Sequence, residues 1–164
     1  MKFYNQVIMV AEIDLNRLYT YGIRGIILDL DNTIVSEDDR YLSPRVEAWI
    51  ETAKSKGFKF FILSNGKRKS RLQDWSYRLD IPALGRARKP FSFGFHKALK
   101  HMQLHSKQVV VIGDSRHTDI LGARLLGCSS IRVATLPHPP RWWEKLFGRW
   151  LHTPYPPQYE LWQL

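Results

Sequence analysis

The stretch Gly25-Ile26-Ile27-Leu28-Asp29-Leu30-Asp31-Asn32-Thr33 constrains this chain more than any other. An apolar run of strand type ends abruptly in two carboxylates spaced two residues apart. In a strand, that spacing puts both side chains on the same side. Burying Ile26 and Leu28 requires no acid at the end of the strand, still less two. Two like charges side by side are unfavourable unless a cation or a shared proton relieves them. The pair therefore marks either a solvated turn or a site, and the rest of the chain decides which.

Residues 24–30 read as a buried strand, and further apolar runs follow it. Residues 58–63 form a second strand closed by Ser64-Asn65-Gly66, 109–112 a third closed by Gly113-Asp114, and 130–134 another. Helical segments separate them. Ser43 as N-cap and Pro44 at the first helical position open one that runs to about Lys56 and stops at Gly57. Others cover 67–79, 91–102 and 118–126, with a short strand within 81–85. This alternation predicts an α/β fold, a Rossmann-like three-layer arrangement of a parallel sheet between helices. Ligands of such folds sit beyond the carboxyl ends of the strands, where Asp29, Asp31, Ser64 and Asp114 all fall.

The 164 residues suit one domain, with a core over 1–136. Residues 137–164 hold six of the nine prolines and four of the six tryptophans, and read as an appendage, not a second domain. The single cysteine, Cys128, excludes a disulfide framework and fits a reducing cytoplasm. No stretch approaches the ~18 uninterrupted apolar residues of a spanning helix. Asn5, Gln6, Glu12 and Asp14 break any secretory leader. The net charge of +10 is concentrated between Lys54 and Lys107, where fourteen basic residues face two acids. Such a surface attracts a nucleic acid, an anionic membrane or a phosphorylated metabolite, and charge alone does not choose among them.

Asp29-x-Asp31-x-Thr33, Ser64-Asn65, Lys89, and Gly113-Asp114 with Asp119 form four separated pieces. In this order they resemble the four motifs of the haloacid dehalogenase (HAD) superfamily of phosphohydrolases, over residues 24–133. The resemblance implies a Mg²⁺-dependent phosphatase. Asp29 would be the nucleophile that forms an aspartyl-phosphate, and Asp31 the general acid and then base. Ser64 would hydrogen-bond a phosphoryl oxygen, while Lys89 neutralises the transferred group and holds Asp29 ionised. Asp114 would ligate the metal with Asp29 and the backbone carbonyl of Asp31. Asp119 would act through water or by orienting Lys89, and Thr33 and Asn65 would support the motifs they belong to. Phosphoryl transfer needs positive charge and an in-line nucleophile, and several carboxylates suit a hard, oxygen-liking cation. The second acid, Asp31, favours ester hydrolysis, whose leaving oxygen needs a proton.

Superfamily members often insert a cap domain between the first and second motifs or between the second and third. Here Asp29 and Ser64 are 35 residues apart and Ser64 and Lys89 are 25 apart, which core helices and strands consume. A capless, open site is expected, suited to substrates too large to be enclosed.

The string 25–33, Leu63-Ser64-Asn65, Ala87-Arg88-Lys89-Pro90, and Gly113-Asp114 followed by Thr118-Asp119-Ile120-Leu121-Gly122 resemble the YqeG family, subfamily IIIA. That family is similar to the mitochondrial phosphatidylglycerophosphate phosphatase, which implies conversion of phosphatidylglycerophosphate to phosphatidylglycerol. Arg88 is a candidate phosphate contact. Ser115-Arg116-His117 departs from the family pattern, and Arg116 either adds a phosphate contact or faces solvent.

Arg141, Lys145 and Arg149 are spaced to line one face of a helix, with Trp142, Trp143, Leu146, Phe147, Trp150 and Leu151 on the adjoining arc. Such a helix lies in an anionic membrane interface, or its aromatics pack on the core or a second subunit. The sequence thus leads to a cytoplasmic phosphatase, peripherally associated with the membrane and acting on a phosphorylated lipid. The alternatives are a phosphatase for nucleic-acid ends or a soluble metabolite, and a non-enzymatic membrane- or nucleic-acid-binding protein.

Overall fold

In a computed structural model of the chain, residues 4–142 and 144–164 are described, with Tyr4, Lys145 and Arg149 by backbone alone. The strands of the main sheet are β1 (Tyr4–Gln6), β2 (Gly25–Leu28), β4 (Lys59–Leu63), β5 (Ala83–Leu84), β6 (Val109–Gly113) and β7 (Ser129–Arg132). The pair β3 (Tyr41–Leu42) and β8 (Trp162–Gln163) stands apart from them. The helices are α1 (Leu15–Thr20), α2 (Val46–Ser55), α3 (Lys69–Leu79), α4 (Ser92–Met102), α5 (Leu121–Leu126) and α6 (Glu144–Leu151).

The main sheet has the order β1-β7-β6-β2-β4-β5, and every pair in it is parallel. Strand alternation divides the core into two layers. Ile26, Leu28, Phe60, Ile62, Val110 and Ile112 pack against α1, α2 and α3 through Leu18, Trp49, Ile50, Leu72 and Trp75. Ile27, Phe61, Leu63, Val109 and Val111 pack on the other face against Phe95, Ala98 and Met102 of α4 and Ala123 of α5. This is the α/β sandwich the sequence predicts.

The chain runs outward from β2 to β4 and β5, then crosses back to β6 and β7 on the other side. The carboxyl ends of β2 and β6 thus meet where the winding reverses, the position at which such sheets bind ligands. Residues 29–64 are taken up by a turn, β3, α2 and β4, and residues 64–89 by α3 and β5, so neither interval carries a cap.

Local boundaries differ from the sequence reading for physical reasons. α2 begins at Val46, after Arg45 in a left-handed conformation, and not at Ser43-Pro44. The Ser43 N–H is committed to Ile34 O at 2.8 Å, which ties that residue to the preceding turn. The helix expected from Thr118 starts earlier, as a π-helical turn over Arg116–Ile120 that continues into α5. β1 pairs with β7 along the edge of the sheet, a short strand that carries little signal of its own.

Beyond Leu136 the chain returns across the carboxyl end of the sheet. Thr135 N–H donates to Thr153 O at 2.7 Å, α6 packs on the π turn, and β8 pairs antiparallel with β3. Arg141 precedes α6 and does not lie on it. Trp143 and the side chains of Lys145 and Arg149 lie outside the described residues. Among the described residues, no helix is long and apolar enough to cross a membrane.

Candidate active site

A cavity of about 480 Å³ opens at the carboxyl ends of β2, β4 and β6. β2 ends at Leu28, but the Asp29 N–H still donates to Ile112 O at 2.9 Å, so Asp29 leaves the sheet held by β6. Leu30 turns into the core, and Asp29 and Asp31 both line the cavity. Asn32 makes the tight turn that follows, at φ 62°, and its Oδ1 accepts from the Glu37 N–H at 2.8 Å. A short polar side chain that tolerates the left-handed region is what that turn requires. The turn brings the Thr33 hydroxyl back to donate to Asp29 Oδ2 at 3.0 Å.

Ser64 follows β4 and donates to Asp31 Oδ2 at 2.8 Å. Gly66 follows closely, and a Cβ there would stand 2.9 Å from Ser64 Oγ and 3.0 Å from Asp31 Oδ2, so the turn needs glycine for close approach. Asn65 clamps the loop that carries Lys89: its Nδ2 donates to Lys89 O at 3.0 Å, and its Oδ1 accepts from Lys89 N–H at 2.8 Å. Lys89, thus fixed, donates from Nζ to Asp29 Oδ1 at 2.5 Å and to Asp119 Oδ1 at 2.7 Å. Its peptide bond to Pro90 is cis.

Asp119 reaches Lys89 because of two local devices. Residues 116–120 form a π turn, in which Ile120 N–H donates to Ser115 O, and such turns are frequent at functional sites. Gly113 leaves room for the returning carboxylate, since a Cβ there would lie 2.4 Å from Asp119 Oδ2. Asp119 Oδ2 then accepts from the Ser115 N–H at 3.3 Å.

The carboxylate oxygens of Asp29, Asp114 and Asp119 come within 4.8 Å of one another, and all three residues are buried. Ionised, they leave two negative charges that the single Lys89 ammonium does not offset. A divalent cation supplies that charge, and hard carboxylate oxygens are the donors such ions take, so this set can hold one. The cluster includes Asp119, whereas the Asp31 carboxylate is occupied by Ser64 and by Arg71 Nη1 at 2.6 Å.

The ionisation of the cluster follows from the same imbalance. Burial raises Asp29 well above the ordinary carboxylate range, reinforced by the charges of Asp119, Asp114 and Asp31 and opposed by Lys89. Burial likewise raises Asp119. Burial acts to lower Lys89, but the charges of Asp119 and Asp29 together outweigh it and lift the ammonium above the ordinary lysine range.

Several residues that sequence reasoning did not place at the site line the cavity, among them Arg71, His152 and Arg141. Arg71, on the first turn of α3, bridges Asp31, Asp39 and the carbonyl of Ser36. His152, from the end of the chain, meets Asp114 Oδ2 through Nδ1 at 3.1 Å. Arg141, expected on the membrane face of a helix, pairs instead with Glu37 at the mouth. Arg71 had one sequence signal: Lys67, Arg68, Lys69 and Arg71 crowd the start of a helix, against the preference of its dipole for acids. The expected phosphate contacts Arg88 and Arg116 do not line this cavity.

Comparison with known proteins gives the family and agrees with the fold. A model of the HAD-hydrolase-like family matches residues 86–150. Over 117 residues the chain is 39% identical to the probable phosphatase YqeG of Bacillus subtilis, covering 71% of this chain and 67% of that protein. The chain belongs to the YqeG family of HAD phosphatases. A predicted phosphoglycolate phosphatase from Haemophilus somnus shares the fold with a TM-score of 0.57 at 18% identity, over 68% of this chain and 85% of the other. The cobalt-bound deoxy-D-mannose-octulosonate 8-phosphate phosphatase of Haemophilus influenzae gives 0.59 at 18% identity, over 71% and 72%. The family membership makes the chain a phosphatase, and Asp29 and Lys89 line the cavity at the carboxyl ends of its strands.

Proposed function

We propose that the chain is a Mg²⁺-dependent phosphatase of a membrane lipid, hydrolysing phosphatidylglycerophosphate to phosphatidylglycerol and phosphate at a peripheral membrane position. The observation that carries the lipid reading is the pairing of an uncapped cavity with solvent-facing apolar side chains on the segment beside it. Trp142, Leu146, Phe147 and Trp150 are 80%, 70%, 59% and 76% exposed, while Arg141 and His152 of the same segment line the cavity. Such side chains suit a bilayer interface, and an uncapped mouth suits a substrate that remains in the bilayer.

Asp29 is the nucleophile: an oxygen of its carboxylate attacks phosphorus as the ester P–O bond breaks, giving an aspartyl-phosphate. Thr33 and Lys89 hold its two oxygens and so fix the plane of the attacking group. Asp31 gives its proton to the departing lipid alkoxide, then takes one from the water that attacks the aspartyl-phosphate. Ser64 and Arg71 fix Asp31 in position, and the Lys89 ammonium lies where charge accumulates on the phosphoryl oxygens. Asp29, Asp114 and the backbone carbonyl of Asp31, with Asp119 close by, would hold Mg²⁺, which when bound supplies charge to the transferring group.

The test is phosphate release from a panel of phosphatidylglycerophosphate, phosphatidic acid, a sugar phosphate and a 3′-phosphorylated oligonucleotide. The lipid reading expects the highest kcat/KM with phosphatidylglycerophosphate. A preference for the sugar phosphate or the oligonucleotide would replace it with the soluble-substrate alternative.

A further inference from the structure

A second cavity, also of about 480 Å³, shares His117 with the catalytic one. Its walls are the edge strand β1, the neighbouring strand β7, the π turn, α5 and the last turn of α6. Three arginines from three different elements line it: Arg116 of the π turn, Arg124 of α5 and Arg132 of β7. Among the described residues, no carboxylate does. Guanidinium groups gathered from separate elements onto one cavity repel one another, and an anion between them relieves that repulsion.

A second observation points the same way. Ser130, on the cavity-facing side of β7, is 1% exposed, and its Oγ has no hydrogen-bond partner among the described residues. A buried hydroxyl left in that state costs free energy unless something enters to pair with it. Arg132 is already oriented, its Nη2 donating to Gln6 Oε1. Burial, with the nearby charge of Arg116, holds its guanidinium below the ordinary value.

Apolar side chains complete the lining of the cavity. Ile120, Leu121 and Leu151 line it, Leu125 on the same helix as Leu121 is 70% exposed, and α6 carries the exposed Phe147 and Trp150. Exposed arginines beside exposed apolar side chains are the chemistry that takes a phosphate carrying acyl chains. We propose that this cavity is a phosphate-binding site separate from the catalytic one, and that it takes the phosphodiester of an anionic phospholipid head group. Guanidinium groups of Arg116, Arg124 and Arg132 and the Ser130 hydroxyl donate to its oxygens, and the chains leave past Leu121 and Leu151. Occupied, it seats the protein on an anionic bilayer with the catalytic mouth next to the lipid surface. The choice of a lipid rests partly on the function proposed above; the anion site rests on the cavity alone.

The experiment uses the full chain and the double variant Arg124→Gln/Arg132→Gln, with co-sedimentation on vesicles of phosphatidylglycerol in phosphatidylcholine and on phosphatidylcholine alone. Hydrolysis of p-nitrophenyl phosphate is measured in parallel. The double variant should bind phosphatidylglycerol vesicles about tenfold more weakly while keeping its turnover of the small ester. Arg124→Glu, at an exposed position, and Ser130→Ala should each weaken vesicle binding as well, which guards against a double variant that fails to fold. Unchanged vesicle binding in all three variants would overturn the proposal. So would a parallel loss of small-ester turnover in the folded variants, because the arginines would then serve the catalytic cavity. A competition assay separates the sources of phosphate: short-chain dihexanoyl phosphatidylglycerol should displace the protein from vesicles at lower concentration than glycerophosphoglycerol or inorganic phosphate. Equal displacement by inorganic phosphate would overturn the assignment to a lipid. Failure of the catalytic reading would show instead as absent small-ester turnover in the unmodified chain.

Discussion

The two cavities that share His117 are of equal volume and opposite construction. The catalytic one takes Asp29, Asp31, Ser64 and Asp114 from the ends of β2, β4 and β6, where the Asp29 N–H is still bonded to Ile112 O, and Lys89 and Asp119 from a clamped loop and the π turn. Asp29, Asp114, Asp119 and Lys89 are 6%, 4%, 1% and 6% exposed, so their charges act in little water and at full strength. The other cavity takes its charges from long side chains on a turn, a helix and the strand next to the edge, and two of them, Arg116 and Arg124, are exposed. Chemistry needs positions held to a fraction of an ångström, which strand ends give. Holding a diffuse anion at a surface needs only charge and reach.

The largest effect that tests this contrast is Asp29→Asn. Turnover of any phosphate ester should fall by about three orders of magnitude or more, while circular dichroism and binding to phosphatidylglycerol vesicles stay as they were. Activity persisting in this variant would break the assignment of the nucleophile. Chelation comes next: metal-free protein should lose turnover, and Mg²⁺ should restore it and raise Tm. The sign of the pH dependence follows from Asp29 and Asp119, whose folded values are raised by burial above the ordinary carboxylate value of 3.8. In metal-free protein that contribution to stability is fully present below the ordinary value and is lost as pH rises through the raised one. The Tm increment on adding Mg²⁺, read by differential scanning fluorimetry, should therefore grow as pH rises through that window. A flat increment would break the link between burial and the cation.

Arg71→Ala frees Asp31 on one side and should lower kcat on a small ester by up to about a hundredfold without altering the circular dichroism spectrum. The smallest effect belongs to His152→Ala, which removes the contact to Asp114 Oδ2. Metal affinity of the purified protein, by isothermal titration calorimetry, should weaken by about tenfold, since residues that orient a metal ligand act on that scale. An unchanged affinity would mean that the end of the chain borders the catalytic cavity without organising it.

Three of the four motifs were legible because they lie at the ends of apolar strands, which are readable from local pattern, whereas Lys89 lies on a loop beyond β5 and was readable only from the family resemblance. Asp119 shows where local pattern stops. Its place in the motif was readable, but its arrival between Lys89 and the other carboxylates depends on a π turn and on the missing side chain of Gly113. The tail was read as a helix with Arg141, Lys145 and Arg149 on one face. Arg141 precedes that helix and turns inward to Glu37, more than a hundred residues away in sequence. No spacing near Arg141 encodes that contact; the Leu136 N–H bond to Asn32 O at 2.9 Å holds the outgoing chain beside the turn that leads to Glu37.

The sequence by itself determined the parallel sheet, the absence of an inserted cap, and the acids that meet at the end of β2, because apolar alternation and strand-end polarity are local properties of a chain. The tertiary structure alone decided that Arg71 holds Asp31, that His152 reaches Asp114, and that Arg116 turns away from the catalytic cavity into a second one. Those contacts join residues whose neighbours in sequence say nothing about each other, and they exist because the packed sheet and the returning tail leave those side chains no other common place to point.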